Sequence, residues 1–407
     1  MPGALSHIRV LDLSRVVAAP WSSQILADLG AEVIKVERPG QGDDTRGWGP
    51  PFLKDREGKD TQDAFYYLGT NRGKKSITLD ISTPEGQQIL RRLAAQSDVV
   101  IENYKVGTLN RYGLGYEDLK AINPRIVYCS ITGFGQTGPY SHRAGYDFII
   151  QGMGGMMSVT GEREGLPGGG PQKVGVPFAD LMTGMYSTVG ILAALNYREL
   201  SGVGQHIDMA LLDVQISSMA TAHMYYLISG EILTSYGNAA ANIVPYQVFD
   251  CPDGKIILAV GNDGQFAKFC EVAACQNLAK DDRFATNANR VRNREILIPI
   301  LEKVFMQRSR AEWAESLEEA GVPSGPINNM AQVFEDPQVK HRKMRVEVPH
   351  PQSGTVPMVA SPIRLSDTPI EYFMAPPTLG QHTIEVLQNH LAIDAEELER
   401  LATLGVI

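Results

Sequence analysis

An α/β architecture is predicted by three features of the sequence. Strand-like and helix-like segments alternate from Ile8 to about residue 200, as in a doubly wound domain. The first of them make a strand–helix–strand unit of about 30 residues, which implies a parallel sheet. Near residue 230 the pattern changes to a hairpin and three helical segments, which marks a smaller α+β region.

The opening unit is IRVLDL (8–13), a helix over 20–28 that Gly30 ends, and AEVIKVE (31–37). Glu37 ends the second strand, where a ribose-binding acid would sit. The loop between strand and helix reads SRVVAAP instead of G-x-G-x-x-G, which argues against a nicotinamide dinucleotide. Arg38 instead offers a guanidinium to a phosphate. After a turn-rich stretch (41–52), TNRGKK leads into a strand over 76–81. Pro84 opens a helix to 95, strands follow over 98–103 and 125–132, and a helical region over 109–122 lies between them. Arg38, Arg72, Lys74, Lys75, Lys105 and Arg111 fall at or near strand ends or in the loops after them. Each alone reads as solvated charge; together they suit a multiply phosphorylated ligand outside the carboxyl ends of a sheet.

GFGQTGP (133–139) is a loop, and Gly145, Tyr146 and Asp147 precede a Met- and Gly-rich segment that starts at Gln151. The stretch KVGVPFADLMTGMYSTVGILAALNYREL (173–200) then carries one carboxylate, Asp180, ahead of an apolar run over 181–195. Apolar residues at 181, 185, 189, 192 and 195, with others filling the spaces, predict a helix buried on most sides. Asp180 stands where that helix begins and has two readings. It is an N-cap, or it is a nucleophile held ionised by the helix end and able to attack a thioester.

A strand over 205–211 and a helix over 213–227 that contains His223 complete the first region. The smaller region opens with a hairpin over 246–261 turning at Asp253-Gly254, has helical segments near 264–274, 293–307 and 310–320, and ends at Pro323 to Pro326. Two short strand signals and terminal helices follow and are expected to return to the first domain.

With 407 residues the chain is long enough for two or three domains, and 43% apolar with 20% charged residues is ordinary globular composition. A net charge of −9 argues against general nucleic-acid binding. The four cysteines show no C-x-x-C pair, so neither a disulfide scaffold nor a metal site is expected. The sequence enters a strand almost at once and holds no uninterrupted apolar run of about 18 residues. A cytoplasmic protein without membrane contact is the expectation.

Several stretches match a known family: VIKVERPGQGDDTRGWGPPF, TNRGKKSITLD, VIENYKVGTLNRYGLGY, YCSITGFGQTGP, RAGYD, FADLMTGMYSTVGILAAL, GVPSGPINNM and PPTLGQHT. On these the chain resembles, over essentially its whole length, the class III (CaiB/BaiF type) CoA-transferases, in the branch of succinyl-CoA:glutarate and related dicarboxylate CoA-transferases. The resemblance implies a Rossmann-like large domain built from both chain ends, a small domain, and an interlocked homodimer. It implies a CoA-binding domain over 1–200, a linker over 201–230, a small domain over 231–328, and a return over 329–407. It places the catalytic carboxylate on Asp180. It assigns CoA contacts to Val16, Val17, Arg38, Asn71, Arg72, Lys74, Lys75, Glu102, Asn103, Tyr104 and Arg111. The implied cycle binds no permanent cofactor; a coenzyme A thioester is a substrate, and a carboxylic acid, expected to be dicarboxylic, takes up the CoA.

Tyr146, Gln151 and Asn238 are candidate substrate contacts, with Arg46 and His223 as less favoured holders of a distal carboxylate. Two departures bear on chemistry. Related racemases carry a His where Tyr146 stands, so a racemase would lack one proton carrier here. Where oxalate-using relatives carry four glycines, this chain reads Gly237-Asn238-Ala239-Ala240-Ala241-Asn242, which puts a mobile lid and oxalate in doubt. An acyl-CoA isomerase or a silent CoA-binding subunit are the competing readings.

Overall fold

The computed structural model describes residues 3–407. The chain divides into two compact units, Met1–Met156 with Val174–Gly230 and Gln338–Ile407, and Met157–Lys173 with Glu231–Pro337.

The larger unit is organised on six parallel strands in the order Lys74–Thr78, Glu32–Glu37, Arg9–Asp12, Val99–Glu102, Val127–Thr132, His206–Ala210. Numbered along the sheet's own strands this is 3-2-1-4-5-6, the doubly wound order that binds ligands where the winding reverses. The inner strands are buried because both faces are covered: all four residues of Val99–Glu102 are buried. On one face Leu11, Ile34 and Ile77 share a core with Leu90 and Leu93 of the helix Pro84–Ala94, and with Val386, Leu387, Leu398 and Leu401 near the carboxyl terminus. Both ends of the chain therefore build this unit. On the other face Val10, Val33, Val99 and Ile101 pack with Ala18, Ala19 and Leu26 of the helix Ala18–Asp28 and with Ala179, Ile191 and Ala194 of the helix Phe178–Ser201.

The segment 201–230, expected as a linker, belongs to the larger unit, and the strand expected over 205–211 is the last strand of its sheet. His206–Ala210 alternates exposed and inward residues, the pattern of an edge strand, and pairs with Val127–Thr132. The single helix expected over 213–227 is two, Leu211–Ser218 and Ala220–Ser229, broken where Ala220 has φ +31°. The turn-rich stretch after Gln41 includes a short hairpin, Phe52–Lys54 with Asp60–Ala64.

The helix Phe178–Ser201 ends on Gly202 in the left-handed conformation. By length and apolar composition it is able to cross a membrane. Ten of its residues are nonetheless buried in the fold, including Asp180 and Arg198, and Arg198 pairs with Asp98. It meets the helix Ala18–Asp28 at bare backbone: a Cβ added at Gly184 would lie 2.6 Å from the Ala18 carbonyl oxygen and 2.8 Å from the Trp21 ring.

The smaller unit carries an antiparallel sheet in the order Ser324–Pro326, Gly254–Ala259, Tyr246–Cys251, over a core centred on Phe305, which stacks with Phe249 and with Phe269 and meets Trp313 at a tilt. The segment 157–173, expected in the large domain, belongs here. The Gly237 N–H donates to the Gly161 carbonyl (3.0 Å) and the Ser235 hydroxyl to the Glu162 carbonyl (2.9 Å).

Gly184→Ala is expected to push the two helices apart, costing about 1–3 kcal/mol by urea unfolding. Unchanged stability would show that the close approach is not required.

Candidate active site

The winding reverses between Arg9–Asp12 and Val99–Glu102, and the loops after these two strands frame a crevice of about 500 Å³. Arg15, Val16 and Val17 line it from the first loop, Asn103, Tyr104 and Lys105 from the second, and Asp180 and Tyr146 stand among the other lining residues. A second crevice of about 410 Å³ shares Arg15, Tyr104 and Thr108 with the first and contains Arg38 and the segment Leu79–Ser82. A cavity of about 660 Å³ beside Arg46, Asp55 and Arg56 contains none of the groups around Asp180.

The loop after the first strand is forced into shape. Val16 has φ +74°, a conformation that a β-branched residue adopts only under constraint. Its N–H donates to Asp43 Oδ1 (3.2 Å). The Arg15 backbone is held on both sides by the Asn103 amide, which accepts from the N–H at 2.9 Å and donates to the carbonyl at 2.6 Å. Val16 thus takes the backbone conformation that a glycine supplies in dinucleotide loops. The helix that follows, Ala18–Asp28, begins without a side-chain cap, so its amino end faces the switch point as an anion-seeking pole.

Asp180 is the third residue of the helix Phe178–Ser201 and does not cap it. Asp147 does: its Oδ1 accepts from the N–H groups of Ala179 (2.7 Å) and Asp180 (3.3 Å). The other Asp147 oxygen is held by Gln151 Nε2 at 2.6 Å, and Gln151 Oε1 accepts the Val174 N–H at 2.9 Å. Of the two sequence readings of Asp180, the N-cap is therefore excluded. Asp180 is 9% exposed and lines the crevice, and its carboxyl carries no hydrogen bond or ion pair among the described residues. Burial, and after it the negative charge of Asp147, push it up to about 7. The helix end was expected to hold this carboxyl ionised, but that end is already occupied by Asp147.

The family model of CoA-transferase family III matches residues 5–383. The chain belongs to this family. It is 49% identical over 399 residues to the succinate–glutarate CoA-transferase of Agrobacterium fabrum, covering 98% of this chain and 97% of that one. It is 43% identical over 403 residues to the human succinyl-CoA:glutarate CoA-transferase, covering 99% and 90%. A crystal structure of a CaiB/BaiF family protein from Brucella suis aligns with a TM-score of 0.84 and 50% identity over 96% of this chain and 100% of that one.

The transferase brings together some of the residues expected at its site and disperses others. Val16, Val17, Asn103, Tyr104, Arg111 and Tyr146 line the first crevice and Arg38 the second. Asn71, Arg72, Lys74 and Lys75 line neither. They precede or begin the strand Lys74–Thr78, and in a parallel sheet the start of a strand lies at the edge opposite the ligand side. Their charges are internal: Arg72 pairs with Asp28, Lys74 with Asp12 in complete burial, and Lys75 with Glu32 and Glu385, while the buried Asn71 accepts from Lys74. The carboxyl end of the same strand delivers Leu79, Asp80, Ile81 and Ser82 to the second crevice, a segment the basic-residue pattern passed over.

Glu102 faces a separate cavity of about 370 Å³. It accepts the Tyr104 N–H at 2.8 Å and a hydrogen bond from Ser130, whose hydroxyl meets His206 Nε2 at 2.9 Å. Glu102 thus positions the Asn103–Tyr104 loop from behind rather than touching the crevice. Gln151 is fully buried and ties Asp147 to the chain before the helix, so it is not a substrate contact. Asn238 lies in the smaller unit, where its carbonyl accepts the Val248 N–H. Arg46 is locked by Glu37, Asp63 and Tyr67, and His223 meets the Ile216 carbonyl. Asp147 and the 79–82 segment are what sequence reasoning missed; the Asp of RAGYD was the available signal.

A carboxyl raised from its ordinary value to about 7 binds more protons folded than unfolded across that interval, so its contribution falls as pH rises from about 4 to about 7. Asp180→Asn cannot ionise. It should match the wild type in urea unfolding near pH 4 and exceed it above pH 7, by at most roughly 4 kcal/mol. In Asp147→Asn the fall in stability between about pH 4 and 7 should end at lower pH, because the like charge beside Asp180 is gone. An Asp180→Asn variant no more stable than wild type at pH 8 would contradict the burial of a charged Asp180.

Proposed function

We propose that this enzyme moves CoA from succinyl-CoA to a dicarboxylic acid of the glutarate type, with Asp180 as nucleophile. The observation that carries the reading is a nearly buried aspartate, relieved of capping by Asp147 and unpaired, lining a crevice between two loops at the switch point. The relatives whose names pair succinate or succinyl-CoA with glutarate support the choice of acids.

The Asp180 carboxylate attacks the donor thioester carbonyl, the C–S bond breaks, and CoA thiolate leaves a mixed anhydride. The thiolate then attacks the Asp180 carbonyl carbon, the C–O bond to the donor acyl group breaks, and the donor acid departs from an aspartyl-CoA thioester. The acceptor carboxylate repeats both steps in reverse. Each exchange is between acyl bonds of similar energy, so burial of Asp180 serves twice. It removes the hydration that blunts a carboxylate nucleophile, and it keeps water from the anhydride. The uncapped start of the helix Ala18–Asp28 is suited to stabilise an oxyanion or a phosphate. Arg15, Lys105 and Arg111 in the first crevice and Arg38 in the second suit the phosphates of CoA.

Two copies are proposed to interlock. Val189 is 60% exposed on the central helix, and Leu227 and Ile228 are 71% and 79% exposed on Ala220–Ser229, apolar surface that a second copy would cover. Equilibrium sedimentation should give a dimer; a monomer at micromolar concentration would contradict it.

The purified chain mixed with succinyl-CoA alone should yield Asp180 modified by hydroxylamine or reduced by borohydride. Asp180→Ala should lose transfer to glutarate by at least about a thousandfold while retaining CoA affinity. Residual transfer of more than a few per cent would remove Asp180 from the reaction.

A further inference from the structure

The helix Asp263–Val272 in the smaller unit ends in a Schellman motif. The Cys275 N–H donates to the Cys270 carbonyl (2.8 Å), spanning six residues, and the Ala274 N–H donates to the Glu271 carbonyl (3.2 Å) inside it. Ala274 takes the left-handed conformation, φ +52°, at the position where glycine is usual. This turn folds the residue after it back onto the residue five earlier, a contact ordinarily made by two apolar side chains. Here both are cysteines, and Cys275 packs against the core cluster that contains Cys270.

The two sulfurs are not equivalent. Cys270 is fully buried in the core with Phe266 and Phe269, whereas Cys275 is half-buried at the turn. The neighbouring Cys270 lowers the Cys275 thiol, and Cys275, with burial, raises Cys270. A more accessible sulfur that favours the thiolate, with a second thiol nearby, is the arrangement of an attacking and a resolving cysteine.

We propose that Cys270 and Cys275 form a hydroperoxide-sensitive dithiol that closes to a disulfide within one helix-ending turn. The Cys275 thiolate attacks a peroxide oxygen, the O–O bond breaks, and hydroxide or alkoxide leaves a sulfenic acid. The sulfur gives up two electrons and the peroxide is reduced. The Cys270 thiol then attacks the sulfenic sulfur, an S–S bond forms, and water departs. Overall, two thiols and one hydroperoxide give a disulfide, an alcohol or water, and one water. No role in acyl transfer is required of either sulfur.

The test uses the full-length reduced protein, hydrogen peroxide as the probe, thiol blocking with iodoacetamide and peptide mapping. Oxidised protein should lose two of its four titratable thiols, with Cys270 and Cys275 joined in one peptide and restored by dithiothreitol. Cys270→Ser should leave Cys275 as a sulfenic acid that dimedone captures. Cys275→Ser should retain all its remaining thiols under the same exposure. The proposal is overturned if peroxide leaves all four thiols intact, if wild-type Cys275 is oxidised without joining Cys270, or if Cys275→Ser is oxidised at Cys270 as fast as wild type. Circular dichroism of the variants separates loss of the cross-link from loss of the fold.

Discussion

The arrangement around Asp180 depends on one hydrogen-bonded carboxylate that is not Asp180. A helix of 24 residues presents unpaired N–H groups at its start, and the nearest acidic side chain would ordinarily turn back to meet them. Asp147, arriving from an adjacent short helix, meets them first. Asp180 is then left with burial and a like charge beside it, both opposing its ionisation. The fold tolerates a frustrated group at one point because Asp147 and Gln151 satisfy each other and the helix end around it.

The crevice has the same logic on a larger scale. A parallel sheet wound in both directions leaves a gap outside the strands where the winding reverses, and the loops there are free of sheet pairing. What makes the gap a defined site is that the first loop is held in a conformation it would not choose. Asp43 holds the N–H of Val16, and Asn103 holds the backbone of Arg15 just before it. Behind them lies a buried ionic layer in which Lys35 pairs with Asp43 and Lys74 with Asp12. Such pairs gain specificity of geometry more than stability, and geometry is what a loop at a reaction centre needs.

Much of this was legible from the residues. The strand–helix alternation gave the parallel sheet, and the apolar run after Asp180 gave the central helix, because both follow from local periodicity. The motifs carried the family. The errors share one cause: sequence adjacency does not say what a residue meets in space. TNRGKK reads as a phosphate-binding cluster until the strand it begins is placed, whereupon Lys74 becomes the counter-ion of Asp12. Gln151 read as a substrate contact because polar residues near glycines often are; its actual partners are brought in from residues 147 and 174. The edge strand His206–Ala210 was foreseen as a strand, but its place in the sheet depends on pairing with Val127–Thr132 across more than 70 residues, as Ser130 and His206 show.

The large unit draws Leu11 and Val406 into one hydrophobic cluster. During synthesis, then, part of the apolar cluster around Leu11 stays open until the helices Thr383–Leu391 and Ala395–Thr403 have been made. The smaller unit, whose residues run only to Pro337, has all its parts well before that. The smaller unit is thus the one able to mature early, and the larger one is last to seal. A chain interrupted soon after Pro337 would carry one finished unit and one incompletely covered sheet face, a natural substrate for chaperones.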